Sequence, residues 1–340
     1  MANLIEQRFR FAIGFQSDKT PGEYEALAAL VDTYAFDVVS VYNDLFFQPA
    51  LGALLLMARH LRHAQVGPAA LNPYTVHPVE IAGQIAVLDL VSVGRAYLGL
   101  VRGSWLDKLG LEASHPMQTL REAALIVKQL LAGQTQAFDG KVFKLAAGAS
   151  LNNKPLRSAV PIMIGTWGKQ TARMAGEIAN EIKIGGSSNP AMVTYLRPVI
   201  DAGSEAVGRA AGEVGICVGA VTVVAEDRAA ARALVRREAA LYLPVVARLD
   251  PTLQDPEWLD RIEKAASRND YDFISRQISD EILDRFAFAG SPRDIIRQVE
   301  NLIAAGASRV EFGTPHGLNS TEGIRLLGEQ VLPYFKVASG

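Results

Sequence analysis

The side chains with chemical potential in this chain sit where short apolar runs end. Asp44 follows one such run directly, with Phe46 and Phe47 just beyond it. A carboxyl pressed against a flat apolar ligand loses hydration and holds its proton more tightly, which suits a general acid. A solvated loop aspartate is the alternative. The stretch Gly165-Thr166-Trp167-Gly168-Lys169 leads from another run into a helical pattern. Such a turn offers free backbone N–H groups and a helix's positive end to an anion, and Lys169 adds a full charge. A plain helix cap is the alternative. It is no P-loop, because Met163 and Gln170 stand where that motif needs glycine and a hydroxyl residue.

From Gly67 to Pro78 the chain carries three prolines, Pro68, Pro73 and Pro78. A crossing this stiff suits a wall that keeps its shape against a flat ring, or simply a rigid connector. His77 reads as a hydrogen-bonding group at a helix start rather than a proton carrier.

Other chemistries are disfavoured. The 5 histidines form no HExxH motif, so no metal site is expected. There is no GxSxG elbow. Cys217, the only cysteine, lies in an apolar run and reads as a buried, inert thiol. A formal charge of −2 and a pI near 6.2 argue against a nucleic-acid groove or a polybasic membrane patch. Met1 to Glu6 lacks a signal-peptide layout, and no apolar stretch approaches the ~20 residues of a membrane helix. A soluble, cytoplasmic protein is expected.

The elements that must position these residues alternate from end to end. Apolar, β-branched runs fall at 9–16, 36–43, 64–71, 95–103, 161–168, 181–186, 213–225 and 309–315, with helical periodicity between them. Thr20-Pro21-Gly22-Glu23, Asn189-Pro190 and Ser291-Pro292 announce helix starts. Serial strand-helix units make a parallel sheet, and strands apolar on nearly every residue are covered on both faces. That predicts a single (β/α)8 TIM-barrel domain over 1–340. A doubly wound sheet would call for GxGxxG after the first strand, where Gly14-Phe15-Gln16-Ser17-Asp18 stands. Two insertions are expected, a hairpin over 134–159 and a helical segment over 228–289 that could be a lid or an outer layer. Barrel chemistry sits at the carboxyl ends of strands, which selects Phe15-Gln16, Asn43-Asp44, Ala69 to His77, Arg102 to Asp107, Thr166 to Thr171, Gly185 to Asn189, and Pro315-His316.

Together these segments resemble the luciferase-like monooxygenase superfamily, in particular its coenzyme F420-dependent oxidoreductase branch, which includes methylenetetrahydromethanopterin reductases. The resemblance is carried by Asn72-Pro73-Tyr74-Thr75-Val76-His77-Pro78, Gly94-Arg95-Ala96-Tyr97-Leu98-Gly99, Pro161 to Gly165 and Ala175-Gly176-Glu177-Ile178-Ala179. It implies a deazaflavin ring over the third strand's end, against a non-prolyl cis peptide at Ala69-Ala70. It puts Asn43, Asp44 and Asn72 near the ring edge. The cofactor phosphate would sit at Gly165, Thr166, Trp167, Gly168 and Lys169, with Gly185 and Gly186 along its tail. Asp44 is then the candidate acid, and Arg102 or His316 would steady developing charge. The implied activity is hydride transfer between F420 and a small organic substrate, in a homodimer. Two other readings stay open. One is an FMN-dependent two-component monooxygenase with a partner flavin reductase, and the other a non-catalytic flavin-binding barrel. The chain departs from the branch at Phe15-Gln16 and Arg102-Gly103-Ser104, where relatives commonly carry an acid, and at Asn180-Glu181 followed by Lys183.

Overall fold

The computed structural model describes residues 8–337, so the stretch from Met1 to Glu6 lies outside the described residues. The strands are β1 (Arg10–Phe15), β2 (Val38–Val41), β3 (Gln65–Pro68), β4 (Leu98–Leu100), β5 (Phe138–Asp139), β6 (Lys144–Leu145), β7 (Ile162–Gly165), β8 (Glu181–Gly185), β9 (Gly215–Val224), β10 (Ala287–Gly290) and β11 (Arg309–His316). Each of the eight expected runs holds a strand. By its contacts the chain divides into two compact units, and the divisions fall within β1, β8 and the helix Pro190–Glu205 and at the start of β9.

The unit of residues 14–183 and 198–214 carries parallel strands in the order β2-β3-β4-β7-β8. Val38 pairs with Gln65, Val66 bridges to Ala96, Leu98 pairs with Ile162, and Met163 pairs with Glu181. The end of β1 joins β2 through the Tyr42 N–H to Phe15 carbonyl bond, 2.9 Å. β2 is buried at every position, as a strand covered on both faces must be. Ser40, facing inward from it, satisfies its hydroxyl on the Tyr97 hydroxyl at 2.7 Å. The expected hairpin excursion is present as the antiparallel pair β5-β6.

The unit of residues 184–197 and 215–337, with the start of β1, centres on β9, which pairs in parallel with both β11 and β10. β10 corrects the expectation for 228–289: that stretch is not helical throughout but ends in a buried core strand. Its helices are fastened to the β8 loop rather than loose. The Asn189 amide donates to Asp250 Oδ2 at 2.8 Å and to Thr252 Oγ1 at 2.9 Å, and Ser188 Oγ donates to the Asp284 carbonyl at 3.0 Å. The expected helix starts hold: Glu23 accepts from the Thr20 N–H at 2.7 Å, Asn189 caps Ala191, and Ser291 and Asp294 form a capping box. No described helix is long and apolar enough to cross a membrane.

Candidate active site

In the unit of residues 14–183 and 198–214, parallel pairing brings the carboxyl ends of five strands to one edge. Val41 lies opposite Pro68, Leu71 opposite Leu100, Leu100 opposite Ile164, and Gly165 opposite Lys183. The candidates Asn43, Asp44, Ala69, Ala70, Asn72, Arg102 and Gly165 to Lys169 follow these positions and so share that edge.

At the end of β3, the Ala69-Ala70 peptide is cis, as the resemblance implied. β4 approaches this turn closely because Gly99 has no side chain; a Cβ there would meet the Pro68 carbonyl oxygen at 2.2 Å. Asn72 next in line is 3% exposed. Its Oδ1 accepts from the Tyr74 N–H at 2.8 Å, whereas its Nδ2 is buried without a protein partner. Gly103, at φ +87°, makes room for that amide: a Cβ would come within 2.1 Å of Nδ2. His77 caps the helix Pro78–Val91, its Nδ1 accepting from the Val79 N–H at 3.2 Å, which is the structural role read for it.

At the end of β2, Asn43 turns to the helix Ala50–Ala58 and accepts from the Ala50 N–H at 2.9 Å. That bond satisfies an orphan helix donor and occupies its carbonyl oxygen. Asp44 accepts from the Gln16 amide at 3.3 Å. It opens to solvent at the edge, yet protein atoms crowd it. Burial pushes its carboxyl above the usual carboxylate range, against the Gln16 hydrogen bond and the nearby charge of Lys183. Phe46 and Phe47, read as flanking aromatics, are 68% and 47% exposed, so the raised value comes from the strand-end recess instead.

At the end of β7, the Thr166 N–H bonds the Lys183 carbonyl at 3.0 Å, and Thr166 Oγ1 accepts from the Gly168 N–H at 3.1 Å. The helix Lys169–Ile178 begins there, and since its first bond runs from the Ala172 N–H to the Gly168 carbonyl, the N–H groups of Lys169, Gln170 and Thr171 precede the helical ladder at the helix end. Trp167 is half-buried and Lys169 exposed. Arg102 is exposed, its Nε donating to the Gly103 carbonyl at 3.4 Å. Gly185, Gly186 and His316 belong to the other unit. Gly186, at φ +77°, bonds the Gly219 carbonyl at 2.7 Å. His316 is fully buried beyond a cis Thr314-Pro315 bond, its Nδ1 3.4 Å from Ser320 Oγ.

The residue missed as a site candidate is Lys183. It is 8% exposed, with Nζ 5.1 Å from the centre of the Tyr42 ring. β2 and β8 stand four places apart in strand order, about 19 Å in a flat sheet. A side chain cannot span that, so the sheet curls and Lys183 crosses its inner side. Alternation along β8 was the available signal, since Glu181 and Lys183, charged residues two apart in a buried strand, need partners.

A profile of the family described as luciferase-like monooxygenase matches residues 8–309. The chain is 28% identical over 338 residues to the 5,10-methylenetetrahydromethanopterin reductase of Archaeoglobus fulgidus, covering 96% of this chain and 100% of that one. It is 28% identical over 298 residues to the F420-dependent glucose-6-phosphate dehydrogenase of Microbacterium testaceum, covering 84% and 81%. Among solved structures, the coenzyme F420 dependent tetrahydromethanopterin reductase from Methanopyrus kandleri matches with a TM-score of 0.85 at 25% identity, covering 96% and 99%. The fold is a (β/α)8 TIM barrel, and the chain belongs to the luciferase-like monooxygenase family.

Proposed function

We propose that this protein is an F420-dependent oxidoreductase that transfers a hydride between the deazaflavin and a small organic substrate. The observation that carries the reading is Asn72. A buried amide donor without a protein acceptor is expensive to keep unless something else accepts from it. Asn72 keeps that donor buried at the strand edge, with side-chain-less Gly103 packed against it. A flat heterocycle with polar edge atoms fits there. The Thr166 to Lys169 turn fits a phosphate, through backbone N–H groups and the Lys169 charge. The relatives named above that use F420 support the same cofactor.

When bound, F420 supplies or accepts the hydride at its deazaflavin carbon. The chain's own part is to hold the ring against the end of β3, anchor the phosphate at the end of β7, and manage a proton. Asp44 holds that proton, because burial favours its neutral form, and passes it to the substrate atom that gains charge as hydride arrives. The carboxylate left behind reprotonates from solvent at the edge. A homodimer is part of the proposal. Val87, Leu90 and Val93, on and just after the helix Pro78–Val91, are 42%, 63% and 78% exposed, a stripe that a second copy would cover.

The test is equilibrium binding to purified protein, F420 against FMN, in oxidised and reduced forms. F420 bound tightly with FMN ignored supports the proposal. A preference for reduced FMN moves the reading to a two-component monooxygenase. Binding of neither overturns the cofactor assignment, and binding of F420 without turnover on any substrate leaves a non-catalytic flavin barrel.

A further inference from the structure

Lys183 lies outside every role assigned so far, and the geometry around it is built rather than incidental. An ammonium in a strand interior carries a desolvation penalty that must be offset by charge, hydrogen bonds or an aromatic face. Here Nζ lies 5.1 Å from the Tyr42 ring centre, and Tyr42 follows the end of β2, two residues before Asp44. Other groups near Asp44 have their own engagements. Lys19, on the loop after β1, donates to Asp18 at 2.5 Å and to the Gln16 carbonyl at 3.3 Å. Gln16 itself is neutral, and Tyr42 offers its ring face to the ammonium. The cation acting on Asp44 is Lys183, reaching from β8.

We propose that Lys183 is a positioning residue for Asp44: its ammonium, seated on the Tyr42 ring across the inner side of the sheet, steadies the Asp44 carboxylate once the proton has been given up. This rests on the reading of Asp44 as the acid. Burial alone would make Asp44 a reluctant donor, holding its proton too tightly. A cation nearby favours the ionised form and returns part of that proton affinity. Gln16, bonded to the same carboxyl, orients it while Lys183 supplies the charge.

The experiment titrates Asp44 in the ligand-free protein by infrared difference spectroscopy, with Asp44→Asn identifying its carboxyl band. Lys183→Met should raise the Asp44 midpoint by about one pH unit or more, whereas Lys183→Arg should hold it near the wild-type value. The alkaline limb of the pH–rate profile should move with it in Lys183→Met and return in Lys183→Arg. A midpoint unmoved in folded Lys183→Met overturns the proposal. Should that variant fail to fold, Tyr42→Leu removes the ammonium's seat while keeping its charge. A raised midpoint there supports the proposal, and an unchanged one overturns it. If wild-type protein fails to bind F420, the functional reading falls, while the Asp44 titration still decides the role of Lys183.

Discussion

Gln16 Nε2 donates to Asp44 Oδ2 across 3.3 Å, tying the residue after β1 to the residue closest to acid chemistry after β2. The amide serves a carboxyl at the end of the neighbouring strand and gives the proposed acid a local partner.

Asp44→Asn should therefore lower kcat by about 10²–10⁴-fold with little change in F420 affinity, the usual range for loss of a general acid. The Asp44 carboxyl sits above the ordinary carboxylate range, so activity in the proton-donating direction should be full at lower pH. It should fall as pH rises through the raised value. The Gln16 bond favours ionisation, so Gln16→Ala should shift that falling limb to still higher pH. A pH–rate profile of the two variants against wild type checks this, and a profile unchanged in Asp44→Asn would remove Asp44 from the chemistry.

Gly103→Ala should damage the Asn72 corner specifically. The added methyl would meet Nδ2 at 2.1 Å on a backbone at φ +87°. The left-handed backbone term alone is about 1–2 kcal/mol. Gly110 is the control, since at φ +67° it has nothing within 4 Å of an added Cβ. Both alanine variants should melt earlier. Gly103→Ala alone should weaken F420 binding, by about tenfold, or 1.4 kcal/mol. Equal F420 affinity in the two variants would show that Asn72 does not meet the cofactor.

The parts legible in the sequence are those governed by local pattern. The eight apolar runs carried strands because each is long enough to be covered on both faces. The Thr20, Asn189 and Ser291 starts held because caps are local chemistry. β10 was lost because Ala287-Phe288-Ala289-Gly290 is four residues long and adjoins a charged helical stretch, so no period could separate it. Asn43 has the right place, yet its carbonyl oxygen is spent on a helix N-terminus, which spacing does not reveal. His316 has the right place too, but its complete burial depends on chain packing beyond β11. Lys183 needed the curl of the sheet, a long-range property.

Glu122 governs the hairpin excursion and gives a prediction about stability. Its carboxylate accepts from the N–H groups of Lys141, Val142 and Phe143, at 2.7, 2.8 and 2.8 Å, and from Gln118. Burial pushes its pKa up, but these hydrogen bonds outweigh it and hold the carboxyl below its usual value. Stability from this group is therefore complete above the ordinary carboxylate range and lost as pH falls through the lowered value. Glu122→Ala should destabilise by about 1.5–3 kcal/mol at neutral pH, the range for hydrogen bonds to a charged group. The gap from wild type should narrow in acid. Denaturant melts at pH 7 and under acid conditions measure both, and a constant gap would place the stabilisation in packing rather than in the carboxylate.

Lys169 separates an anion site from a plain helix cap. It stands exposed at the first turn of the helix Lys169–Ile178, where its charge and the helix's positive end act on the same point. A cap alone needs no cation there, since positive charge at a helix N-terminus is mildly unfavourable, and Lys169→Ala would then leave folding intact or slightly improved. If the turn holds the F420 phosphate, the same substitution should weaken F420 binding by about two- to fivefold at low salt. The difference should fade near 1 M salt, where the screening length falls to about 3 Å. F420 titrations of both proteins across a salt series decide between the two, because a role confined to capping predicts equal affinities at every ionic strength.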